Sequence, residues 1–192
     1  MKKLVLFSIL LLAWCLLWPL YLVVLMSDNR RRILQDANRN ISYRSASFKN
    51  YNAVLYLFVV DQFFRTMVYS RIGNTSYIFC WLWHANNTFF PICKNIEGGI
   101  YLAHPFSTIL NAKSIGANFT CRQCTTIGNK SEDAISEKPI IGNNVTVGAN
   151  VVIIGNIIIG NNSIIGAGSV VIKNVPPNSV VAGNPAKVIR TL

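Results

Sequence analysis

The stretch IGNNVTVGANVVIIGNIIIGNNSIIGAGSVVIKNV (141–175) decides the fold. Ile141, Val147, Ile153, Ile159, Ile165 and Val171 stand six residues apart, and all are β-branched. Gly follows at Gly142, Gly148, Gly160 and Gly166, and Asn or Gly recurs at Asn144, Asn150, Asn156, Asn162, Gly168 and Asn174. The fifth position of each unit is Val145, Val151, Ile157, Ser163, Ser169 or Val175. A fixed short period marks a solenoid of small repeats. An amphipathic helix would repeat apolar residues every three or four positions and an ordinary strand every two, so neither fits.

One hexad reads as a short strand and a tight turn. The aliphatic residue points inward, and so does the fifth residue. Gly and Asn suit the turns because both tolerate positive φ at low cost. Three hexads close one triangular coil, and each stacked coil contacts only its neighbours. The same frame continues upstream through Ile109, Ile115, Cys121 and Ile127. From Ile127 to Ile141 it slips, and the spacing reads as two units plus two extra residues. The interrupting stretch NKSEDAISEKP (129–139) is strongly charged. It predicts a loop thrown out of the coil, where solenoids often bind their ligands.

With these motifs in view, the chain resembles the left-handed β-helix, hexapeptide-repeat acyltransferases. Within them it is most similar to serine acetyltransferases and their relatives in bacterial polysaccharide gene sets. GGIYLAHPFSTILNAKSIG (98–116), TTIGNK (125–130) and IGAGSVVIKNVPPNSVVAGNPAKVIR (165–190) carry the resemblance. It implies a homotrimer with sites between subunits and acetyl-CoA as donor, without a metal. His104 matches the family's histidine, whose implied role is general base. An alcohol must lose its proton as it attacks a thioester carbonyl, and a positioned imidazole contributes roughly 10²–10⁴ in rate. Ala149 and Ala167 align with small residues along the pantetheine arm. Ile172 and Lys173 align with a CoA-contacting pair, and Lys187 and Arg190 with basic residues near the nucleotide phosphates. Cations suit CoA because it carries phosphates.

The chain departs from serine acetyltransferases at the acceptor side. Ala103 stands where the family has Asp before the histidine, Phe89 falls near a second Asp, and Lys138 aligns with a later histidine. Glu97 is a candidate to orient His104. These losses make a sugar or glycan-precursor hydroxyl the expected acceptor, with L-serine as the alternative and a non-catalytic scaffold as a remote one. A γ-type carbonic anhydrase would need three metal-binding histidines, and the chain has only His84 and His104.

The expected organisation is an anchor over 1–32, a helical, aromatic-rich region over 33–95, and the β-helix over 96–192. Leu4 to Met26 is uncharged and apolar, with Trp14, Trp18 and Tyr21 toward its end. At ~1.5 Å per residue it reaches across the ~30 Å hydrocarbon core. It predicts an uncleaved transmembrane helix, since no Ala-x-Ala cleavage pattern is present. Arg30, Arg31 and Arg32 follow, and the net charge of +11 concentrates before the repeats. Such charge suits an anionic inner leaflet. The expected location is the cytoplasmic membrane, single-pass, with the catalytic domain in the cytoplasm and a lipid-linked acceptor within reach. No recognised nucleic-acid motif accompanies the charge. Cys121-x-x-Cys124 has metal spacing but no second pair, and Cys121 holds an inward hexad position, so core filling is expected.

Overall fold

The computed structural model describes residues 2–44, 48–81 and 83–192. It comprises two compact units, Met1–Asn86 and Asn87–Leu192.

The first unit is helical: α1 (Lys2–Met26), α2 (Arg30–Ser42), α3 (Asn50–Val60), α4 (Gln62–Ile72) and the short α5 (Tyr77–Cys80). The apolar run 53–73 breaks into α3 and α4 at Asp61. That residue leaves helical geometry at φ −125°, and its carboxylate accepts from the backbone N–H groups of Phe63 and Phe64 at 2.9 and 3.0 Å. This is a side-chain N-cap of the usual kind, typically contributing about 1 kcal/mol. Ile33, Ala37, Val54, Leu55, Leu57 and Phe58 form the core of the unit. Arg71 of α4 donates to Asp36 of α2 at 2.7 Å, with both side chains nearly fully buried. Removing one partner of such a pair strands a buried charge and costs about 3–5 kcal/mol.

The expected membrane anchor is overturned. Residues 2–26 do form a helix, but Leu17, Leu20 and Val24 of α1 are buried in the core just described. Tyr21 meets Tyr51 of α3 edge to face at 4.9 Å. Among the described residues, no helix is long and apolar enough to cross a membrane. The apolar run serves packing within the unit along its C-terminal half. Most side chains before Leu17, that of Trp14 included, lie outside the described residues. The single-pass location falls with the span, and the lipid-linked acceptor loses its ground.

The second unit is mainly β, built of parallel sheets. Its strands are β1 (Phe89–Phe90), β2 (Tyr101–Ala103), β3 (Thr108–Leu110), β4 (Ser114–Ile115), β5 (Thr120–Arg122), β6 (Thr126–Gly128) and β7 (Ile140–Ile141). They continue with β8 (Thr146–Val147), β9 (Val152–Ile154), β10 (Ile158–Ile159), β11 (Ile164–Ile165), β12 (Val170–Val171), β13 (Ser179–Gly183) and β14 (Ala186–Thr191). β1, β3, β6, β9 and β12 form a first face, and β4, β7 and β10 a second. β2, β5, β8, β11 and β13 form a third, closed by antiparallel β14. Successive strands visit the three faces in turn, as a coil must. The first coil already begins at Phe89, ahead of residue 96.

The repeat explains the packing. Ile141, Val147, Ile153, Ile159, Ile165 and Val171 are all at most 2% exposed, and every fifth-position residue is buried. Each such aliphatic contributes about 1.5–3 kcal/mol over leaving it in water. The register upstream differs from the expected frame. Ile127 pairs with Leu110, not Ile109, and Leu110 is fully buried while Ile109 is half-buried. Ile127 and Ile141 sit on adjacent faces, a step that the hexad makes in six residues. The excursion therefore adds eight residues to one unit, not two to two units.

The corners carry the turns. Asn118, Asn144, Asn162 and Asn178 all have φ between 56° and 58° at the second-to-third corner. Their amides form a ladder: Asn118 donates to Asn144, Asn144 to Asn162 and Asn162 to Asn178, at 3.1, 3.0 and 2.8 Å. At the first-to-second corner Gly155, not Asn156, takes the positive φ.

Candidate functional site

His104 stands where β2 leaves the third face for the first. Leu102 pairs with Cys121, and Leu110 with Ile127, so the chain spends eight positions on this step where the next coil spends six. The two added residues swell the turn. His104 and Ser107 both take positive φ, 52° and 50°. Phe106 N–H donates to the His104 carbonyl at 2.6 Å, closing a three-residue turn over the buried Pro105. Histidine adopts this left-handed conformation more readily than most residues, yet it is uncommon and costs of order 1–3 kcal/mol. The result is an exposed imidazole held off the end of the strand.

Below it on the same corner come Arg122, Gln123 and Cys124, then Gly148, Ala149 and Asn150, then Gly166, Ala167 and Gly168. Cys124 N–H donates to the Phe106 carbonyl, Asn150 N–H to the Gln123 carbonyl and Gly168 N–H to the Ala149 carbonyl, tying the turns into a stack. Ala149 lies two coils from His104, about 10 Å at the usual strand spacing. Gly148 allows close approach: a Cβ there would meet the Ala167 backbone N at 2.6 Å. The corner thus grades from polar side chains around His104 to a smooth run of small residues.

The other candidates lie elsewhere on the chain. Ile172 and Lys173 follow β12 at the first-to-second corner, exposed. Lys187 and Arg190 are exposed on β14, opposite Ala182 and Val180 of β13. Residues 129–139 also leave at the first-to-second corner, between β6 and β7. Lys138 at the end of this loop lies near Cys93. Burial pushes the Cys93 thiol up, and the Asn95 backbone and the Lys138 charge pull partly against it. Glu97 belongs to the second-to-third corner, at the far edge of the face from His104. It does not share the histidine's turn, so the expected pairing is not seen. Within one chain, His104, Ala149 and Ala167 share a corner, and Lys187, opposite Ala182 beside Gly166, stands at the same end of the third face; Arg190 lies further along β14, and Ile172 and Lys173 are on another corner.

Residues 138–173 match the family described as bacterial transferase hexapeptide (six repeats). Serine acetyltransferase from Neisseria gonorrhoeae is 25% identical, with a TM-score of 0.64 over 85% of this chain and 68% of that one. The repeat match and the shared fold are those of a hexapeptide-repeat transferase, serine acetyltransferase-like. Two further solved structures share the fold. The Brucella abortus serine acetyltransferase in complex with coenzyme A is 24% identical, at TM-score 0.64, covering 84% of this chain and 68% of that. The soybean enzyme complexed with serine is 22% identical, at TM-score 0.65, covering 83% and 69%. No curated protein sequence matches the chain.

The β unit buries Cys121 completely, at the inward position of β5, and burial pushes its thiol up to about 12. Cys124 sits on the corner turn at φ 57°, so the two cysteines diverge. Among the described residues, no group of three or more His, Cys, Asp or Glu could hold a metal. Two residues of the His104 corner escaped the sequence reading: Arg122, paired with Ala103, and Phe106, 57% exposed. Their signal is register. Neither lies on the six-residue frame; strand pairing puts Arg122 beside Ala103, and Phe106 follows His104 by two residues on the same turn.

Proposed function

We propose that the protein is an acetyl-CoA-dependent O-acetyltransferase on a left-handed parallel β-helix, with His104 as general base. The observation that carries this is the swollen turn, which presents one exposed imidazole above a run of small residues. The imidazole takes the acceptor hydroxyl proton as the oxygen attacks the thioester carbonyl. The C–S bond then breaks, and the imidazolium returns the proton to the departing CoA sulfur. Ala149 and Ala167 leave room for a thin pantetheine arm. Lys187 and Arg190, exposed on β14, and Lys173 supply cations for the CoA phosphates. Ile172 offers an exposed apolar side chain beside Lys173. The coenzyme A complex of the Brucella abortus structure supports this donor.

Because Ile172 and Lys173 stand on a different corner from His104, Ala149 and Ala167, the site is read as lying between subunits of a homotrimer, each corner coming from a different copy. L-serine is the first acceptor to test, since the similar solved structures are serine acetyltransferases. A sugar hydroxyl is the second reading. Ala103 and Lys138 favour it, because they replace the acidic residue and histidine that the resemblance places around an amino-acid acceptor.

The deciding experiment compares the intact protein with His104→Ala, following CoA thiol release with L-serine and with sugar acceptors. The variant should lose roughly 10²–10⁴ in rate while keeping its fold and assembly. Full residual transfer would sink the assignment of His104.

A further inference from the structure

We infer that Arg122 is the acceptor-binding cation of the site, and that the acceptor alcohol carries an anionic group, a carboxylate or a phosphate. The inference rests on the acyl-transfer reading given above.

β5 pairs with β2 so that Arg122 lies directly beside Ala103, the residue before His104. Cys121 points inward at this position, so Arg122 points out, and it is exposed. Its guanidinium has no hydrogen bond or ion pair among the described residues. Most surface cations are ordinary solvated charges, but the charge layout singles this one out. The second unit has four of the chain's seven acidic residues: Glu97, Glu132, Asp133 and Glu137. Glu97 lies at the second-to-third corner, and the other three lie in the excursion at the first-to-second corner. The His104 corner therefore holds no carboxylate, and among the described residues Arg122 is the one permanently charged side chain on its first three turns; Lys187 shares the row only beyond Gly148, Gly166 and Ala182.

An arginine left unpaired beside a general base meets whatever approaches that base. Its planar fork fits a carboxylate or phosphate through two parallel N–H···O bonds, which a lysine cannot reproduce. The acceptor must bring its hydroxyl to His104, so a group one strand spacing away, about 4.8 Å, falls within reach of Arg122. Phe106 exposes its ring on the same turn, an apolar surface for the rest of the acceptor. Ala103 leaves the intervening position empty of charge, so nothing competes for the guanidinium.

Steady-state kinetics of the intact protein and of Arg122→Gln and Arg122→Lys test this with paired acceptors. L-serine is compared with L-serinamide, and glucuronate and glucose 1-phosphate with glucose. The pairs separate a carboxylate from a phosphate as the recognised group. The wild type should prefer the anionic member of at least one pair. In Arg122→Gln the KM for that acceptor should rise about 10- to 100-fold, the usual loss of a charge-assisted bond, with kcat and the KM for acetyl-CoA unchanged. Arg122→Lys should fall between, and neutral acceptors should not respond. An unchanged KM for the anionic acceptor, an equal loss on its neutral partner, or a change confined to acetyl-CoA overturns the inference alone. If the wild type transfers to no alcohol of the panel, the acyl-transfer reading fails, and the inference with it.

Discussion

At φ 56°, Asn144 occupies a conformation that costs most side chains about 1–2 kcal/mol, and it sits mid-ladder. Its amide accepts from Asn118 and donates to Asn162, so one residue serves two rungs. Asn144→Ala loses both rungs and adds backbone strain, whereas Asn144→Gly loses the rungs alone. The rungs are solvent-exposed, worth about 0.5 kcal/mol each at the low end for a hydrogen bond. The alanine variant should therefore be destabilised by about 2 kcal/mol and the glycine variant by about 1 kcal/mol, read by denaturant midpoints. Equal losses would show that the ladder, not the φ angle, carries the position. The same turn chemistry was legible in the sequence, because Asn at a fixed hexad position has few other uses. Which corners use it was not. Asn156 and Asn144 hold the same place in the repeat, yet the positive φ belongs to Asn144 and to Gly155.

The excursion between β6 and β7 is the element where spacing misled. Fourteen residues separate Ile127 and Ile141, and strand pairing assigns them to adjacent faces. Eight of those residues are surplus to the coil. Excising residues 130–137 should therefore restore the six-residue step and leave the β unit folded, with thermal unfolding close to that of the intact chain. Charged excursions of a solenoid add little packing, since each coil is held by its neighbours above and below. If the excursion shapes the acceptor pocket, as solenoid insertions often do, the excised protein should still bind acetyl-CoA but lose transfer. Collapse of the fold on excision would show that the loop packs as part of the core. The swollen turn at His104 is the smaller counterpart of this element. Two added residues there carry the inward position from Leu102 to Leu110, where six would reach Thr108. β3 to β4 gives one residue back, Leu110 to Ile115 being five, so a six-residue count run upstream from Ile115 lands on Ile109 and misses the slip.

At the scale of the molecule, the hexads made the parallel coil readable from the chain alone, and the apolar N-terminal run misled for a physical reason. Hydrophobicity measures what a segment avoids, not what covers it, and in α1 the buried Leu17, Leu20 and Val24 are covered by protein. The site was half legible. His104, Ala149 and Ala167 share one corner, whereas Ile172 and Lys173 lie on another and Lys187 and Arg190 on β14. A site between subunits reconciles that separation, and mixing subunits tests it. His104→Ala removes the base and keeps the cations, while a variant with Lys173, Lys187 and Arg190 all changed to Glu keeps the base and loses the donor cations. Each homotrimer should be inactive. In a trimer refolded from equal amounts, a site is whole when a base-bearing copy meets a cation-bearing one. Cyclic symmetry makes this about one interface in four, so about a quarter of wild-type activity should return. A mixture as inactive as its parents would place base and cations on the same copy and rule out the shared site.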